Sequence, residues 1–582
     1  MLIEDVHVVL APYGLQVPDL AVLQATNQSY RALLLQPAGP IYADTLRIGP
    51  MDLAAAETRS DNFLQLAKQR GDQLVVTPEY YLPEASLRKA ALGENFPASG
   101  ALWALGCESM TPQKLVELKA ACAGVCEVIF EADPNPAVQG NYFDPIAYCF
   151  VAKDAAGDEK RVMLLQFKTI PSRDEHGFEN KMMRCGRTVY QFKGPNNLIG
   201  LATIICSDAF GLGNDIEANK RLSDRSILIH IQLNPKPKHV DYRKYRAEVF
   251  QRTPGRTDCD IICLNWAQNI VQHGEPGTGA ASWRNESGSA WYLPERRCSS
   301  KDAEVFANEA RGLYYTRHEK KRHVLHFHYD EAAFALTVPK VFQDDVAVQD
   351  VLVGPSLDTR FRWSAECNTW AACTDCPETG WGTTINAGAG IAAAFSQLQD
   401  ISNRLSIERA ISLSCGPHSI GEHWYRADML DACRIGDSEV VERTTLQLDR
   451  DEAAKQGRQR RIGRVASLGH ILNTAVLPLP IKDLAGGGTS ISWSAASPNT
   501  NVSKPKALPA LVAYLGELPA PDTIKNISDA AFELLRREDK PHRHRVAVCY
   551  RTETGEAVFA DIKQQRDITY TGAPMTNFTE GY

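Results

Sequence analysis

The chain has 582 residues, of which 44% are hydrophobic and 23% are charged, and its formal net charge at pH 7 is -7. This length exceeds what one hydrophobic core usually serves, so we expect two or more domains. The ordinary composition is typical of a soluble globular protein. No apolar run approaches the ~18 residues that span a bilayer, which argues against a membrane-embedded role. The negative charge makes nucleic acid an unlikely partner.

The chain begins MLIEDVHVVL, with two acids where a secretory signal peptide needs basic residues. The 15 cysteines show no repeated disulfide spacing. Together these features predict a cytoplasmic protein in a reducing compartment, where thiols stay available. We expect residues 1–43 to form an extension before the first domain.

From about residue 44 to residue 330, short apolar runs alternate with polar helical runs. The run AAETRSDNFLQLAKQRG predicts a helix, because Phe63, Leu64 and Leu66 form an apolar stripe with Ala67, and Gly71 supplies a C-terminal stop. Apolar strands between such helices predict an α/β or layered α+β domain.

Three of the predicted strands end in residues that can take part in chemistry. Glu79 follows LVVTP, Lys168 follows VMLLQF, and Cys206 follows LATII. A charged residue at the end of a buried strand is costly unless it is paired, so Glu79 and Lys168 need partners. Taken singly, each residue has an ordinary explanation: a helix cap, a surface lysine and a buried cysteine that only fills the core. Their recurrence on three similar strand ends favours a common site.

These three stretches, in this order, resemble the carbon-nitrogen hydrolase (nitrilase) superfamily, over roughly residues 44–330. The resemblance implies an α+β four-layer αββα sandwich over residues 44–341. Residues 342–582 are then an additional C-terminal mixed α/β domain of unknown type.

The resemblance also implies a Glu-Lys-Cys triad with a thiol nucleophile. Glu79 would accept the proton of Cys206, and Lys168 with the backbone N–H of Ser207 would stabilise the oxyanion. Attack on an amide would leave a thioester, which water activated by Glu79 would hydrolyse. Glu175 would be a second carboxylate that positions Lys168 or the substrate. The expected activity is hydrolysis of non-peptide C–N bonds without a cofactor.

Candidate substrate-binding residues are Ser207, Asp208, Arg173 and Trp266, with Trp283 as a further pocket residue. Ser207 and Asp208 replace the Trp-Glu or Tyr-Glu pairs that are usual after the cysteine in this superfamily. The resemblance therefore favours amide hydrolysis, while nitrile hydrolysis or acyl transfer by the same triad stays open.

The C-terminal region contains a predicted hairpin, HRVAVCYRTETGEAVFADI, and a cysteine-rich stretch. Cys373 and Cys376 have a C-x-x-C spacing, and Cys415 and His418 follow about forty residues later. Four such ligands could close a tetrahedral zinc site. The favoured interpretation is a set of reduced, partly buried cysteines without a metal.

The expected partners are a small-molecule amide or nitrile substrate and further copies of the chain in a homo-oligomer. A protein partner could engage residues 342–582. An alternative function treats the hydrolase fold as a sensor or scaffold, or as a component of bacterial phage defence, that acts through this C-terminal domain.

Overall fold

A computed structural model describes most of the chain, in two compact units. The first unit comprises residues 1–315 and 319–377, and the second comprises residues 378–582 together with 316–318. The described residues are 1–132, 140–173, 177–235, 240–251, 259–274, 279–282, 289–294, 302–317, 322–342, 354–377, 379–382, 404–415, 444–446, 452–494, 496–497, 499–538 and 540–562.

The first unit contains most of the strands. In chain order they are β1 (Leu2–Asp5), β2 (Ser29–Gln36), β3 (Pro40–Ala43), β4 (Ile48–Pro50), β5 (Leu74–Leu82), β6 (Leu102–Cys107), β7 (Cys126–Phe130), β8 (Pro145–Lys153), β9 (Glu159–Phe167), β10 (Thr188–Lys193), β11 (Gly200–Ile205), β12 (Ser226–Ile231), β13 (Cys259–Leu264), β14 (Val271–His273), β15 (Ala280–Ser282), β16 (Ala290–Pro294), β17 (Leu313–Arg317), β18 (Arg322–Phe327), β19 (Ala332–Pro339), β20 (Ser356–Ser364) and β21 (Thr369–Cys373).

Its α-helices flank these strands in sequence. They are α1 (Val6–Leu10), α2 (Leu53–Arg70), α3 (Glu84–Leu92), α4 (Pro112–Cys122), α5 (Phe178–Met182), α6 (Asp208–Asn214), α7 (Ile216–Ser223), α8 (Val240–Gln251) and α9 (Asp302–Arg311). Helix α2 confirms the predicted helix, and Gly71 ends it in the left-handed conformation that favours glycine (φ 62°).

A nine-stranded sheet forms one half of the described core of the first unit, in the order β21-β20-β19-β2-β5-β6-β8-β9-β7. Strands β2, β5 and β6 run parallel, whereas β6, β8 and β9 are antiparallel neighbours. Every residue of β5 is buried. Burial on both faces explains why its sequence, LVVTPEYYL, is almost continuously apolar rather than alternating.

An eight-stranded sheet forms the other half, in the order β1-β10-β11-β12-β13-β16-β18-β17, as far as the described ranges show. Its centre is the parallel set β11, β12 and β13. Apolar side chains of these strands pack with Ala209, Leu222 and Tyr245 of helices α6, α7 and α8. Strand β11 therefore reaches its C-terminal end, beside Cys206, inside a well-packed core.

Gln166 joins the two large sheets by polar contacts. Its amide N–H donates to Thr203 O at 2.8 Å, and its side-chain oxygen accepts from Tyr190 N at 2.8 Å. The ring of Tyr148 packs edge-on against Phe192 with centroids 5.0 Å apart. These contacts hold the end of β9 close to the end of β11, so the residues that follow the two strands meet.

The structure confirms a mixed α/β architecture with several sheets. The predicted boundaries differ from the observed ones: residues 1–43 supply β1, β2 and β3, and β20 and β21 belong to the first unit although they follow residue 342. Strand β2 is paired on both sides, to β19 and β5. Because β2 is an apolar central strand that fills the core, it is an integral part of the first unit and not an extension to it.

The second unit contains β22 (Ser490–Ile491), β23 (Val502–Ser503), β24 (Leu511–Glu517), β25 (Val546–Arg551) and β26 (Ala557–Phe559), with helices α10 (Arg404–Cys415), α11 (Glu452–Thr474) and α12 (Pro521–Glu538). Strands β25 and β26 pair antiparallel, which confirms the predicted hairpin. Strand β24 is parallel to β25 and shares an apolar core with α10 and α11.

A search of the described helices for membrane spans found none that combines the necessary length with the necessary apolar character.

Candidate active site

The ends of three strands bring Glu79, Lys168 and Cys206 into one buried cluster. Glu79 lies in β5, Lys168 directly follows β9, and Cys206 directly follows β11. All three side chains are at most 4% exposed. The sequence predicted that these residues need each other as partners, and the structure places the carboxylate, the ammonium and the thiol together.

Lys168 lies at the centre of this cluster. Its Nζ donates to Glu79 Oε1 at 2.7 Å and to Glu179 at 2.8 Å, and Asp144 Oδ2 lies 3.6 Å away. The ring of Tyr80 lies 5.9 Å from the same atom. Burial alone would lower the pKa of Lys168, but the charges of Glu179 and Glu79 hold it well above its usual range. The lysine is therefore a permanent buried cation.

Glu79 is held from both sides. One carboxylate oxygen accepts from Lys168, and the other accepts from the backbone N–H of Leu233. Burial raises the pKa of Glu79, against the lowering effect of Lys168. A carboxyl group with a raised pKa and a fixed orientation is suited to accept and return a proton near neutral pH.

Glu179 of α5 is the second carboxylate that contacts Lys168. It also accepts from Tyr80 Oη at 3.0 Å and from Ser172 N at 2.6 Å. Burial alone would raise the pKa of Glu179, yet Lys168 and Ser172 hold it below its ordinary value. Glu175, to which the sequence analysis gave this role, lies outside the described residues.

Asp144 is a third carboxyl group in the cluster, just before β8. It is fully buried, and one oxygen each of Glu79, Asp144 and Glu179 lie within 4.8 Å of one another. Three acidic groups so close resemble a metal site. The ammonium of Lys168 occupies their centre, however, so the arrangement is an ion cluster organised around a lysine.

Cys206 occupies a sharp turn between β11 and α6. Its φ of 41° lies in the left-handed region, which is uncommon for a residue other than glycine and costs of order 1–3 kcal/mol. Its Sγ lies 3.3 Å from Tyr242 Oη of helix α8. Burial raises the pKa of this thiol well above its ordinary value, Glu79 raises it further, and Lys168 opposes them. The resting sulfur is therefore a neutral thiol that needs a base.

His230, near the end of β12, supports the Cys206 turn through a hydrogen bond to its backbone. His230 Nε2 lies 3.0 Å from Cys206 O, and Nδ1 lies 2.6 Å from Tyr245 Oη. Burial lowers the pKa of His230 to about 3, so the ring is neutral at physiological pH. Since a carbonyl oxygen only accepts, Nε2 donates to it and Nδ1 accepts from the tyrosine.

Asp208, which the sequence analysis predicted to bind substrate, connects the loop after β9 to the turn after β11. Its carboxylate accepts from Thr169 N, Ile170 N and Ile205 N at 2.8 to 3.2 Å, and from the Thr169 hydroxyl. Three of these bonds link the residues after Lys168 to the turn at Cys206, and the bond from Ile205 N closes the turn itself. Ser207, the second predicted contact, donates its hydroxyl to Ile170 O at 2.6 Å and strengthens the same link.

The other predicted pocket residues lie in different places. Trp266 is 2% exposed and donates its indole N–H to Glu79 O at 2.8 Å, so it fixes the backbone of Glu79. Arg173 is exposed and lines a cavity of about 280 Å³ beside the Cys206 turn. Trp283 lies outside the described residues.

The proposed zinc ligands are divided between the two units. Cys373 and Cys376 lie in the first unit, and Cys415 lies in the second. Cys373 Sγ accepts from the guanidinium of Arg360 at 3.3 Å. His418 lies outside the described residues. Among the described residues, only Glu79, Asp144 and Glu179 bring three metal-ligating side-chain atoms within 4.8 Å of one another.

Glu179, Asp144, Tyr242 and His230 were missed by the sequence analysis. Glu179 lies in the polar run DEHGFENK, in which Glu175 is an equally acidic choice. Asp144 directly precedes a predicted strand, whereas the recognised residues come at the ends of theirs. A polar residue at a strand boundary was therefore a signal by which Asp144 could have been found. Tyr242 and His230 carry no signal, because tyrosine and histidine are ordinary core residues.

Gly106 of β6 determines where Glu79 lies. A Cβ at Gly106 would stand 2.2 Å from Pro78 O and 3.0 Å from Glu79 N. We expect Gly106→Ala to lower the melting temperature and to displace Glu79. Gly463→Ala, on an exposed helical position with open space around it, is the matched control and should stabilise by roughly 0.5–1 kcal/mol. Thermal unfolding checks this prediction, and equal melting temperatures for Gly106→Ala and wild type would contradict it.

Comparisons with known proteins returned structural matches only. No family model and no curated protein matches the sequence. A glutamine-dependent NAD+ synthetase from Acinetobacter baumannii is 9% identical with a TM-score of 0.31, over 66% of this chain and 56% of that one. The present chain thus spans about half the length of the synthetase.

Two other solved structures are similar to part of this chain. An amidase from Nesterenkonia sp. is 12% identical with a TM-score of 0.30, over 56% of this chain and 96% of that one. The C. elegans NitFhit protein is 12% identical with a TM-score of 0.27, over 46% of this chain and 56% of that one. A mutant of the Nesterenkonia AN1 amidase, described as belonging to the nitrilase superfamily, is 13% identical with a TM-score of 0.26, over 46% of this chain and 84% of that one.

Proposed function

We propose that this protein is a thiol-dependent carbon-nitrogen hydrolase that cleaves a non-peptide amide through a thioester on Cys206. The observation that carries the proposal is the fully buried Lys168 ammonium, hydrogen-bonded to Glu79 and Glu179 and close enough to shift the pKa of Cys206. Burying these charges is expensive, and a charged base beside a thiol at a strained turn is a catalytic arrangement.

The two large sheets and their flanking helices support a four-layer αββα sandwich for the first unit. In that arrangement the ends of β5, β9 and β11 open at one edge, where a substrate can reach the thiol. The second unit is then a separate C-terminal domain.

In the first step, Glu79 accepts the proton of the Cys206 thiol as sulfur attacks the amide carbon. The carbonyl π electrons move to oxygen, giving a tetrahedral oxyanion. Lys168, already charged, stabilises it together with the backbone N–H of Ser207. Tyr242 Oη, 3.3 Å from the sulfur, steadies the thiol before attack.

The intermediate then collapses. The C–N bond breaks, and the departing nitrogen takes the proton that Glu79 received, so ammonia or an amine leaves and a thioester remains. Water next gives a proton to Glu79 and attacks the thioester carbon. The C–S bond breaks, sulfur regains the proton, and the carboxylic acid is released. Glu79 acts as base and acid in turn, for which a raised pKa is suited.

We expect purified protein to release ammonia from members of a panel of small amides. Cys206→Ala should abolish release, and Glu79→Gln should reduce it by about 10²- to 10⁴-fold, because general base catalysis contributes that much. Cys367→Ala, which removes an exposed cysteine outside the cluster, should match wild type.

Release from nitriles alone would favour the alternative of nitrile hydrolysis by the same residues. Release that is unaffected by Cys206→Ala would overturn the proposal. A stable protein complex formed equally well by Cys206→Ala, without any turnover, would favour a sensor or scaffold instead.

The cavity beside the Cys206 turn supports a substrate with a negative charge. Ile170, Ala209 and Phe210 form its wall, and the charged side chains among the described residues that line it are the cations Arg173 and Lys244. Ala209 N donates to Cys206 O at 3.2 Å, so this wall is continuous with the nucleophile turn. A carboxylate or phosphate on the substrate would bind between the two cations while its amide reaches the thiol.

Iodoacetate and iodoacetamide test this charge preference with the same reacting carbon. We expect the ratio of their labelling rates at Cys206, relative to the ratio at Cys367, to fall about two- to fivefold in Arg173→Gln and in Lys244→Gln. Lys119→Gln, an exposed lysine of α4 that does not line the cavity, should leave it unchanged. Peptide mapping by mass spectrometry measures both rates, and an unaltered ratio would exclude this cavity as the route for an anionic substrate.

A further inference from the structure

Asp144 is the one carboxyl group of the cluster to which the proposed mechanism gives no role. Its side chain is 0% exposed, and among the described residues no N–H or O–H donates to either of its oxygens. The Lys168 ammonium is 3.6 Å away, beyond a normal hydrogen bond. The backbone carbonyl of Asp144 accepts a hydrogen bond from Lys168 N at 2.9 Å, which fixes Asp144 beside the lysine.

The charges of the cluster do not balance if every carboxyl group is ionised. Lys168 contributes one positive charge, against Glu79, Glu179 and Asp144. Two surplus negative charges would then be buried within 4.8 Å of one another, where the low dielectric makes repulsion strong. One additional proton removes most of this repulsion. Because Glu179 already accepts from Lys168, Tyr80 and Ser172, the proton belongs to the pair formed by Glu79 and Asp144.

We propose that Asp144 is a positioning residue that keeps this proton and donates it in a hydrogen bond to Glu79, so that the negative charge of the pair stays on the base. The proposal rests on the proposed function, in which Glu79 deprotonates Cys206. No bond of the substrate involves Asp144, and its proton is not consumed during turnover.

The ionisation tendencies of the neighbouring groups support this assignment. Burial raises the pKa of Asp144 well above its usual range, and the charge of Glu79 raises it further. A hydrogen bond from Asp144 lowers the pKa of Glu79, against the effect of burial. Among the described residues, Tyr80 and Cys107 also face Asp144, and burial raises the pKa values of both well above the ordinary range. Both are neutral near pH 7, so they add no charge.

The pH dependence of iodoacetamide labelling at Cys206 tests the proposal, because the acid limb of this profile reports protonation of Glu79. Asp144→Asn keeps a hydrogen-bond donor but cannot ionise, and Asp144→Ala removes the donor. We expect Asp144→Asn to leave the acid limb where it is in wild type. We expect Asp144→Ala to shift it upward by about one pH unit, since a hydrogen bond to a charged group is worth that much.

The sign of the shift distinguishes the proposal from its alternatives. If Asp144 were ionised at rest, removing its charge would lower the pKa of Glu79, and both variants would shift the limb to lower pH. If Asp144 were only structural, both variants would lose thermal stability without moving the limb. Either result would overturn the proposal.

Infrared spectroscopy of the full-length protein near pH 7 provides a test that needs neither reactivity nor Asp144→Ala to fold. We expect the carbonyl stretch of a protonated carboxyl group in wild type and its loss in Asp144→Asn. Absence of that band in wild type would contradict the proposal. A wild-type band together with an unreactive Cys206 would mean that the proton is held as inferred but that the proposed hydrolase function has failed.

Discussion

The burial of a single ammonium group is the constraint on which the site depends. Lys168 is 0% exposed, so its charge is tolerable only if carboxylates surround it. Glu79 and Glu179 provide that compensation at 2.7 and 2.8 Å. Gln166 links the sheets beside the lysine, and Asp208 ties the residues after it to the Cys206 turn. The same contacts therefore pair the charge and position the nucleophile.

The cluster also bears on how the Cys206 thiol would be activated in the proposed mechanism. A thiol in a positive environment often exists as a thiolate, but here burial and Glu79 raise the pKa of Cys206 despite Lys168. In the proposed mechanism, deprotonation therefore accompanies attack, with Glu79 as the base. This arrangement keeps the buried charge nearly constant during the reaction, because the proton moves within the cluster and the ammonium remains charged throughout.

The sequence was most informative where local pattern and burial agree. Apolar runs predicted the strands that end near Glu79, Lys168 and Cys206, and the helix stop at Gly71 and the hairpin of β25 and β26 were confirmed. Residues 1–43 were predicted to form an extension, whereas the structure pairs β2 with β19 and β5, and such pairing is a long-range property that local sequence does not contain. Glu179 and Tyr242 depend on tertiary contacts that no spacing rule contains.

Asp208 shows that a polar residue beside a candidate site residue can serve the fold. Its position beside the cysteine predicted a substrate contact, but three backbone N–H groups and a hydroxyl already satisfy its carboxylate.

The most direct test of the role proposed for Glu79 is the rate of iodoacetamide labelling at Cys206 in wild type and in Glu79→Gln, with Cys367 of the same molecule as reference. The account predicts a fall of about 10²- to 10⁴-fold at Cys206 and no change at Cys367. Equal rates at Cys206 would show that Glu79 is not its base.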